Sequence, residues 1–236
     1  MRLSIVIPAY NEEERIGSTI EAIDAYRATL EYDSEVIVVD DGSTDNTVSV
    51  VHDADPSAQV ISYNPNRGKG HAVRTGMTAA KGEIRLFYDA DASTPIDEVG
   101  KLWPHFEAGA EIVIGSRSLP GSDVQIHQPW YRENMGRVFN GIIRVLGVTR
   151  FPDTQCGFKA FTAHACSIVF PRQTIERFSF DAELLYIAQK HELPIAQLPI
   201  RWINCPHTSL NPLSDSTRMF WDAVTIRFKD MMGRYR

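Results

Sequence analysis

The sequence predicts an α/β protein with a mostly parallel β-sheet flanked by helices, and three observations lead to this fold class. Short apolar runs alternate with amphipathic stretches along the first half of the 236-residue chain. Most of these runs are followed by Gly, Asp, Asn or Ser, as is typical of strands that end in turns. Hydrophobic residues make up 43% of the chain, which is enough for one large core. Strands that alternate with helices in this way favour a parallel sheet with crossover helices.

Each element is predicted from its own pattern. Ile16, Ile20 and Ile23, for example, recur at helical spacing. The predicted strands cover residues 3–8, 35–39, 60–63, 84–88, 112–115, 156–161 and 195–202. The predicted helices cover 12–30, a segment opening at 44–47, the stretch after the glycine-rich turn 64–70 as far as 80, and then 96–106, 130–148, 180–191 and 214–236, with 117–128 as a loop.

Composition excludes several classes of protein. The net charge of −6 argues against a nucleic-acid-binding surface. The three cysteines are widely spaced, so neither a zinc site nor a disulfide framework is expected, and reduced cytoplasmic thiols are the default. We see no signal peptide and no apolar run long enough to span a membrane, and we expect a cytoplasmic protein. The oligomeric state stays open.

Two carboxylates mark the predicted centre of function. Asp89 and Asp91 directly follow the buried strand 84–88. In an open α/β sheet, ligands bind outside the carboxyl ends of the strands. Paired carboxylate oxygens there suit a divalent ion such as Mg or Mn, although an arbitrary D-x-D is more often a pair of solvated turn residues.

The other strand ends supply the context that decides between these alternatives. They carry Tyr10-Asn11-Glu12, Asp40-Asp41 and Gly115-Ser116-Arg117, and a glycine-rich turn surrounds Lys69. Polar clusters that meet at one sheet edge predict a binding cleft. A dinucleotide fold is disfavoured because the first turn has no glycine, and a P-loop sequence is absent. An aspartyl phosphatase is disfavoured because those enzymes place a second acidic pair after the D-x-D, whereas here the acidic pair Asp40-Asp41 precedes it.

These motifs together resemble the inverting family 2 glycosyltransferases of GT-A fold. The matching stretches in the first half are Val6-Ile7-Pro8-Ala9-Tyr10-Asn11-Glu12-Glu13, Val38-Val39-Asp40-Asp41-Gly42-Ser43-Thr44-Asp45, Asn66-Arg67-Gly68-Lys69-Gly70 and Asp89-Ala90-Asp91. The second half is similar to the dolichyl-phosphate β-glucosyltransferase branch through residues 153–159 and 180–188. It departs from that branch where relatives often show Ser-Lys-Leu, because this chain has Thr208-Ser209-Leu210.

The resemblance implies a single GT-A-like domain over 1–236, with a nucleotide-sugar-binding half (1–117), an acceptor half (118–236) and a C-terminal helical extension. It implies transfer of glucose from UDP-glucose to a polyprenyl phosphate, with a divalent metal on Asp89 and Asp91. GDP-mannose as donor, a soluble acceptor and a non-catalytic sugar-nucleotide-binding module are the alternatives. The expected donor and metal contacts are Pro8, Tyr10, Asn11, Glu12, Asp40, Asp41, Gly68, Lys69, Gly70, Asp89, Ala90 and Asp91.

A phosphate acceptor needs cations rather than a general base, since its second pKa is about 6. The candidates are Arg117, Arg132, Arg137 and Lys159, and Arg117 is also a candidate contact to the donor phosphates. Were the acceptor a hydroxyl, Asp153 or Asp181 would be the expected base. The helices 130–148 and 214–236 mix aromatic and basic residues, so each is expected either to pack on the sheet or on a second subunit, or to lie on a membrane surface at the inner face of the cell membrane.

Overall fold

The computed structural model describes residues 1–126, 141, 143, 144, 146–203 and 212–236, and for 212–219 the backbone alone. The strands are β1 Leu3–Ala9, β2 Ser34–Asp40, β3 Gln59–Ser62, β4 Ile84–Tyr88, β5 Ile112–Ser116, β6 Asp123–Ile126, β7 Phe158–Thr162, β8 Ile195–Pro199 and β9 Arg201–Ile203. The helices are α1 Ile16–Arg27, α2 Thr47–Ala54, α3 Lys69–Ala79, α4 Trp103–Glu107, α5 Ala163–Val169, α6 Phe180–Lys190 and α7 Pro212–Met231, with 3-10 turns at Ile96–Lys101 and Phe170–Arg172.

In the part of the chain that the structure describes, seven strands form the central sheet in the order β3-β2-β1-β4-β7-β5-β8, and of these β7 alone runs antiparallel to its neighbours. All seven residues of β1 are buried. Val6 belongs to the core on one face of the sheet, and Ile5 and Ile7 belong to the core on the other. Strands buried on both faces read as continuous apolar runs. This arrangement confirms the predicted α/β fold class.

The antiparallel strand brings the second half of the chain to the ligand edge. Because β7 opposes β4 and β5, the residues that precede β7 lie where those parallel strands end. The main-chain N–H of Asp89, just after β4, donates to Gly157 O, just before β7, at 3.1 Å. Residues near 153–158 therefore meet the D-x-D although they are distant in sequence.

Several predicted boundaries were wrong, each for a local reason. Helix α1 begins at Ile16 rather than Glu12, because the N–H of Glu12 donates to Thr47 Oγ1 at 2.8 Å and holds residues 11–13 in a loop. The predicted helix 96–106 is split into a 3-10 turn and α4. The predicted loop 117–128 contains β6, which pairs with β9. The predicted strand 195–202 is two strands in two sheets, broken after Pro199, which has no N–H to donate.

Helix α7 is docked on α6. Asp230 on α7 accepts from the hydroxyl of Tyr186 at 2.5 Å, and the buried Tyr235 donates to Glu183 at 2.6 Å. The predicted helix 130–148 falls largely outside the described residues. Among the helices that the structure describes, none combines the length and the apolarity that crossing a bilayer requires.

Candidate active site

The D-x-D forms a tight turn directly after β4. The N–H of Ala92 donates to Asp89 O at 3.2 Å, and the N–H of Ser93 donates to Asp91 Oδ1 at 3.0 Å. Ala92 has a φ of 48°, a left-handed conformation that is strained for a residue with a Cβ. The carbonyl of Ala90 accepts from the buried hydroxyl of Thr19 at 2.7 Å. Contacts from α1 and within the turn thus fix both carboxylates at the carboxyl edge of the sheet.

Gly157 is a site residue that the sequence analysis missed. A Cβ on this residue would overlap Cγ and Oδ2 of Asp89 and would stand 2.6 Å from Oδ1. The missing side chain is therefore what allows Asp89 to lie against β7. The signal in the sequence is a glycine immediately before a strand, which often marks a close approach of another group.

Lys69, the first residue of α3, lies beside the D-x-D. Its Nζ is 2.7 Å from Asp89 Oδ1. Burial lowers the pKa of Lys69, but the charges of Asp89 and Asp181 more than offset it and the pKa is raised. The lysine stays protonated and supplies positive charge at the cleft.

The residues present fit a divalent ion that arrives with a diphosphate. Asp89 Oδ1 is buried and accepts no well-directed hydrogen bond from the described residues, so its contact with Lys69 is one of charge. Among the described residues, no group of three or more Asp, Glu, His or Cys side chains is arranged to hold a metal. Mg typically takes one or two carboxylates and completes its shell with water and substrate phosphates. Asp89 and Asp91 match that pattern.

Hydrogen bonds from side chains join the loop after β1 to the loop after β2. Asn11, with a φ of 54°, receives Thr44 N on its Oδ1 at 2.8 Å and donates its own N–H to Ser43 Oγ at 2.9 Å. Glu12 pairs with Arg15. Pro8 lies within β1, and Tyr10 is 45% exposed. These contacts hold the two strand ends together at the carboxyl edge of the sheet.

We expected Asp41 at the open edge of the cleft, but it lies inside the glycine-rich turn. Its carboxylate accepts from Asn66 Nδ2 at 2.9 Å and from the N–H groups of Arg67 and Gly68 at 2.8 Å each. Asp40 similarly accepts from Ser43 N at 2.9 Å. Both aspartates are buried. Asp41 therefore shapes the turn that carries Lys69.

The glycines of this turn pack against the segment before α6. Gly68 has a φ of 107°, and a Cβ there would stand 2.5 Å from Glu176 O. A Cβ on Gly70 would stand 2.7 Å from Ile175 O, and Gly70 O accepts from Gln173 Nε2 at 2.8 Å. Packing therefore requires glycine at both positions, and their contact with the donor stays a prediction.

Arg117 and Asp153 form a bidentate pair. Arg117 Nε and Nη2 each lie 2.8 Å from an oxygen of Asp153, and the N–H of Arg117 donates to Oδ2 at 2.9 Å. Burial raises the pKa of Asp153, but Arg117 outweighs it and lowers the pKa to about 2. A carboxylate so stabilised is a poor proton acceptor, so the structure argues against Asp153 as a general base. Arg117 also lies 5.3 Å from the centre of the Trp202 ring.

Lys159 and Asp181 form a second, fully enclosed pair. Lys159 Nζ is 2.5 Å from Asp181 Oδ1 and also donates to Cys156 O. Lys159 is wholly buried, which corrects the prediction that it contacts the acceptor phosphate. Burial raises the pKa of Asp181, an effect that Lys159 partly offsets. Arg132 and Arg137 lie outside the described residues.

Comparison with known proteins gives relatives over nearly the whole chain. Dolichyl-phosphate beta-glucosyltransferase of Dictyostelium discoideum is 34% identical in an alignment 249 residues long, which covers 99% of this chain and 76% of the relative. The enzyme of the same name from Homo sapiens is 35% identical in an alignment 254 residues long, which covers 100% of this chain and 78% of the relative. That of Saccharomyces cerevisiae is 31% identical in an alignment 255 residues long, which covers 99% of this chain and 76% of the relative.

Solved structures share the fold. Glucosyl-3-phosphoglycerate synthase from Mycobacterium tuberculosis, in complex with Mn²⁺, uridine diphosphate and phosphoglyceric acid, aligns with a TM-score of 0.72 at 21% identity, over 99% of this chain and 78% of that one. The family model for Glycosyl transferase family 2 matches residues 4–168. The motif resemblance and the prediction of a glycosyltransferase are thus confirmed. The chain belongs to glycosyl transferase family 2.

Proposed function

We propose that this protein transfers glucose from UDP-glucose to a dolichyl-type polyprenyl phosphate, with inversion at the sugar and with Mg or Mn held by Asp89 and Asp91. The observation that carries the proposal is the rigid D-x-D turn with Lys69 beside it. Two carboxylates and an ammonium group at the carboxyl edge of the sheet suit a metal-bound diphosphate. The names of the family members support glucose as the sugar and dolichyl phosphate as the acceptor. Residues 1–117 would bind the donor and 118–236 the acceptor.

The chemistry asks little of the protein in proton transfer. An oxygen of the acceptor phosphate bonds to C1 of glucose while the bond from C1 to the diphosphate oxygen breaks, and UDP leaves with the electron pair. The acceptor is already largely dianionic at neutral pH and needs no base. A divalent ion bound at Asp89 and Asp91 would act as a Lewis acid toward the leaving diphosphate. Lys69 adds a second positive charge there, and Asp181, enclosed in its pair with Lys159, is given no proton-transfer role.

We expect turnover to require both substrates of this pair. The purified protein, supplied with a short polyprenyl phosphate and Mn²⁺, should consume UDP-glucose at least about tenfold faster than GDP-mannose, because a site built for one base leaves polar groups unpaired with another. Release of UDP and of radiolabelled lipid measures this. Preference for GDP-mannose would move the proposal to a mannosyltransferase, and binding without turnover would indicate a sugar-nucleotide-binding module. Transfer to phosphoglycerate alone would indicate a soluble acceptor.

A lipid acceptor requires a way to meet a membrane, and α7 offers one. Its outer face exposes a stripe of large apolar side chains. These are Phe220 (38% exposed), Trp221 (62%), Phe228 (61%), Met231 (82%) and Met232 (71%). Exposed apolar stripes of this kind mark contact surfaces, and Arg234 and Arg236 lie nearby and are exposed. We propose that this face rests on the cytoplasmic side of a membrane as a peripheral contact.

Two further basic residues of α7, Arg227 and Lys229, have a different role. Arg227 Nη1 donates to Tyr186 OH at 3.0 Å, and Lys229 donates to Thr174 Oγ1 at 2.6 Å. Both therefore tie α7 to the rest of the protein. A membrane test that replaces them would disturb docking and binding together, so the useful variants keep Arg227 and Lys229.

We expect weak, salt-sensitive binding to anionic vesicles. Trp221→Ser combined with Phe228→Ser should abolish co-sedimentation, because these two rings supply much of the exposed apolar area. Arg234→Gln with Arg236→Gln should weaken it at low salt and leave a smaller effect of added salt, since screening acts beyond about 8 Å at physiological ionic strength. Lys81→Gln with Lys101→Gln is the charge-matched control. If both test pairs sediment like the wild-type protein, α7 is not the membrane contact.

A further inference from the structure

Lys69 is in contact with Asp89, one of the two proposed metal ligands. Its Nζ lies 2.7 Å from Asp89 Oδ1, the atom that receives no well-directed hydrogen bond from the described residues. The Lys69 and Asp89 side chains are 30% and 25% exposed, whereas Oδ1 itself is buried, so an incoming ion meets the edge of the pair and reaches Oδ1 once Lys69 moves. The structure thus shows the ligand oxygen already in contact with a positive charge.

The ammonium group is held there without being locked. The ammonium group also lies over the face of the Phe87 ring, 5.4 Å from Nζ to the ring centre. Cation–π contacts and a partly exposed ion pair are both weak in water. The backbone at Lys69 is fixed by α3 and by the Asp41-bound turn, whereas the four-carbon side chain can rotate. Lys69 can therefore leave Asp89 without a change in the fold.

Charge balance gives a reason for it to leave. Asp181 lies close enough to raise the pKa of Lys69, but its partner Lys159 is buried with it and stays there. Among the described residues, Lys69 is thus the movable cation at Asp89. A divalent ion on the same oxygen would repel it strongly in a partly buried site. A diphosphate that enters with the ion gives the ammonium a new partner.

We propose that Lys69 is an exchangeable counter-ion: it neutralises Asp89 in the free protein and moves to the donor diphosphate when the metal binds. Bare metal then binds weakly because it must displace Lys69 with nothing to receive it. Metal and nucleoside diphosphate bind cooperatively because each improves the site for the other. This inference rests on the proposed metal site and adds the residue that couples the metal to the donor.

Electron paramagnetic resonance of free Mn²⁺ tests the inference without turnover. We expect Lys69→Met to bind Mn²⁺ about tenfold more tightly than the wild-type protein when UDP is absent. The enhancement of Mn²⁺ affinity by UDP should fall by about tenfold or more in the same variant, within the usual range of coupling between sites. Lys69→Gln is the second variant, to be used if Lys69→Met melts at a lower temperature.

Two controls separate this inference from the proposed function. Lys101→Met removes a lysine that is paired with Glu98 away from the site. It should change neither the affinity for Mn²⁺ alone nor the affinity for Mn²⁺ in the presence of UDP. Asp91→Asn should lose the Mn²⁺ binding that UDP supports. If that loss occurs but Lys69→Met binds bare Mn²⁺ no better than the wild-type protein, the counter-ion role is wrong and the metal site stands. If Asp91→Asn binds Mn²⁺ normally, the metal site is wrong and the inference fails with it.

Discussion

Asp91→Asn should lower kcat by on the order of a hundredfold or more, because it removes one of two anionic ligands from the proposed metal site. In this turn the substitution removes the negative charge and can leave the hydrogen bonding unchanged. Asp91 Oδ1 accepts the N–H of Ser93 at 3.0 Å, and the amide oxygen of asparagine can accept the same bond. The turn is therefore expected to keep its shape while it loses a charge. Initial rates over a range of Mn²⁺ concentrations measure the effect.

The control for Asp91→Asn is a charge lost elsewhere. Asp97 lies on the surface and pairs with Arg201, so Asp97→Asn should leave the rate within about twofold, as an exposed pair contributes little. A metal role also predicts that EDTA silences the wild-type enzyme. Wild-type rates for Asp91→Asn, together with insensitivity to EDTA, would remove the metal from the proposal.

The local pattern predicts the first half of this fold well. Strands such as β1 and β4 are apolar runs that end in polar turns. Both the apolar run and the turn residues can be recognised within a few residues of sequence. The start of α1 was missed because side chains from the next loop capture the N–H groups of residues 11–13. That competition depends on a contact more than 30 residues away. Propensity within one segment cannot register it.

The candidate site divides in the same way. The D-x-D and Lys69 are recognisable because their residue types suit one ligand and follow strand ends. The pairs Arg117–Asp153 and Lys159–Asp181 are separated by 36 and 22 residues, and they exist because β7 runs antiparallel between β4 and β5. Asp153 was a candidate base for a hydroxyl acceptor, yet a bidentate arginine keeps it ionised. Partners of this kind are set by topology, which the sequence pattern does not specify.

Gly157→Ala should reduce turnover by about a hundredfold while the protein stays folded. The added Cβ would overlap Asp89 Cγ and Oδ2, so the carboxylate must move off β7. A displacement on the scale of 1 Å at a reacting centre typically costs about that factor. Since the N–H of Asp89 donates to Gly157 O, the backbone has little room to absorb the change. Affinity for Mn²⁺ in the presence of UDP should fall along with kcat.

Gly100→Ala is the matched control for Gly157→Ala, because the nearest atom that a Cβ at Gly100 would meet among the described residues, apart from its chain neighbours, is the Tyr26 hydroxyl at 4.0 Å. It should retain wild-type rates and Mn²⁺ affinity. Thermal melting of both variants separates a misplaced carboxylate from a loss of stability. A Gly157→Ala protein that melts normally and binds Mn²⁺ with UDP as well as the wild-type protein would show that Asp89 does not hold the metal. If Gly157→Ala melts far below the wild-type protein, its Mn²⁺ affinity can be measured well below its own melting temperature. A misplaced Asp89 predicts weak Mn²⁺ binding at that temperature, whereas a loss of stability alone predicts normal binding.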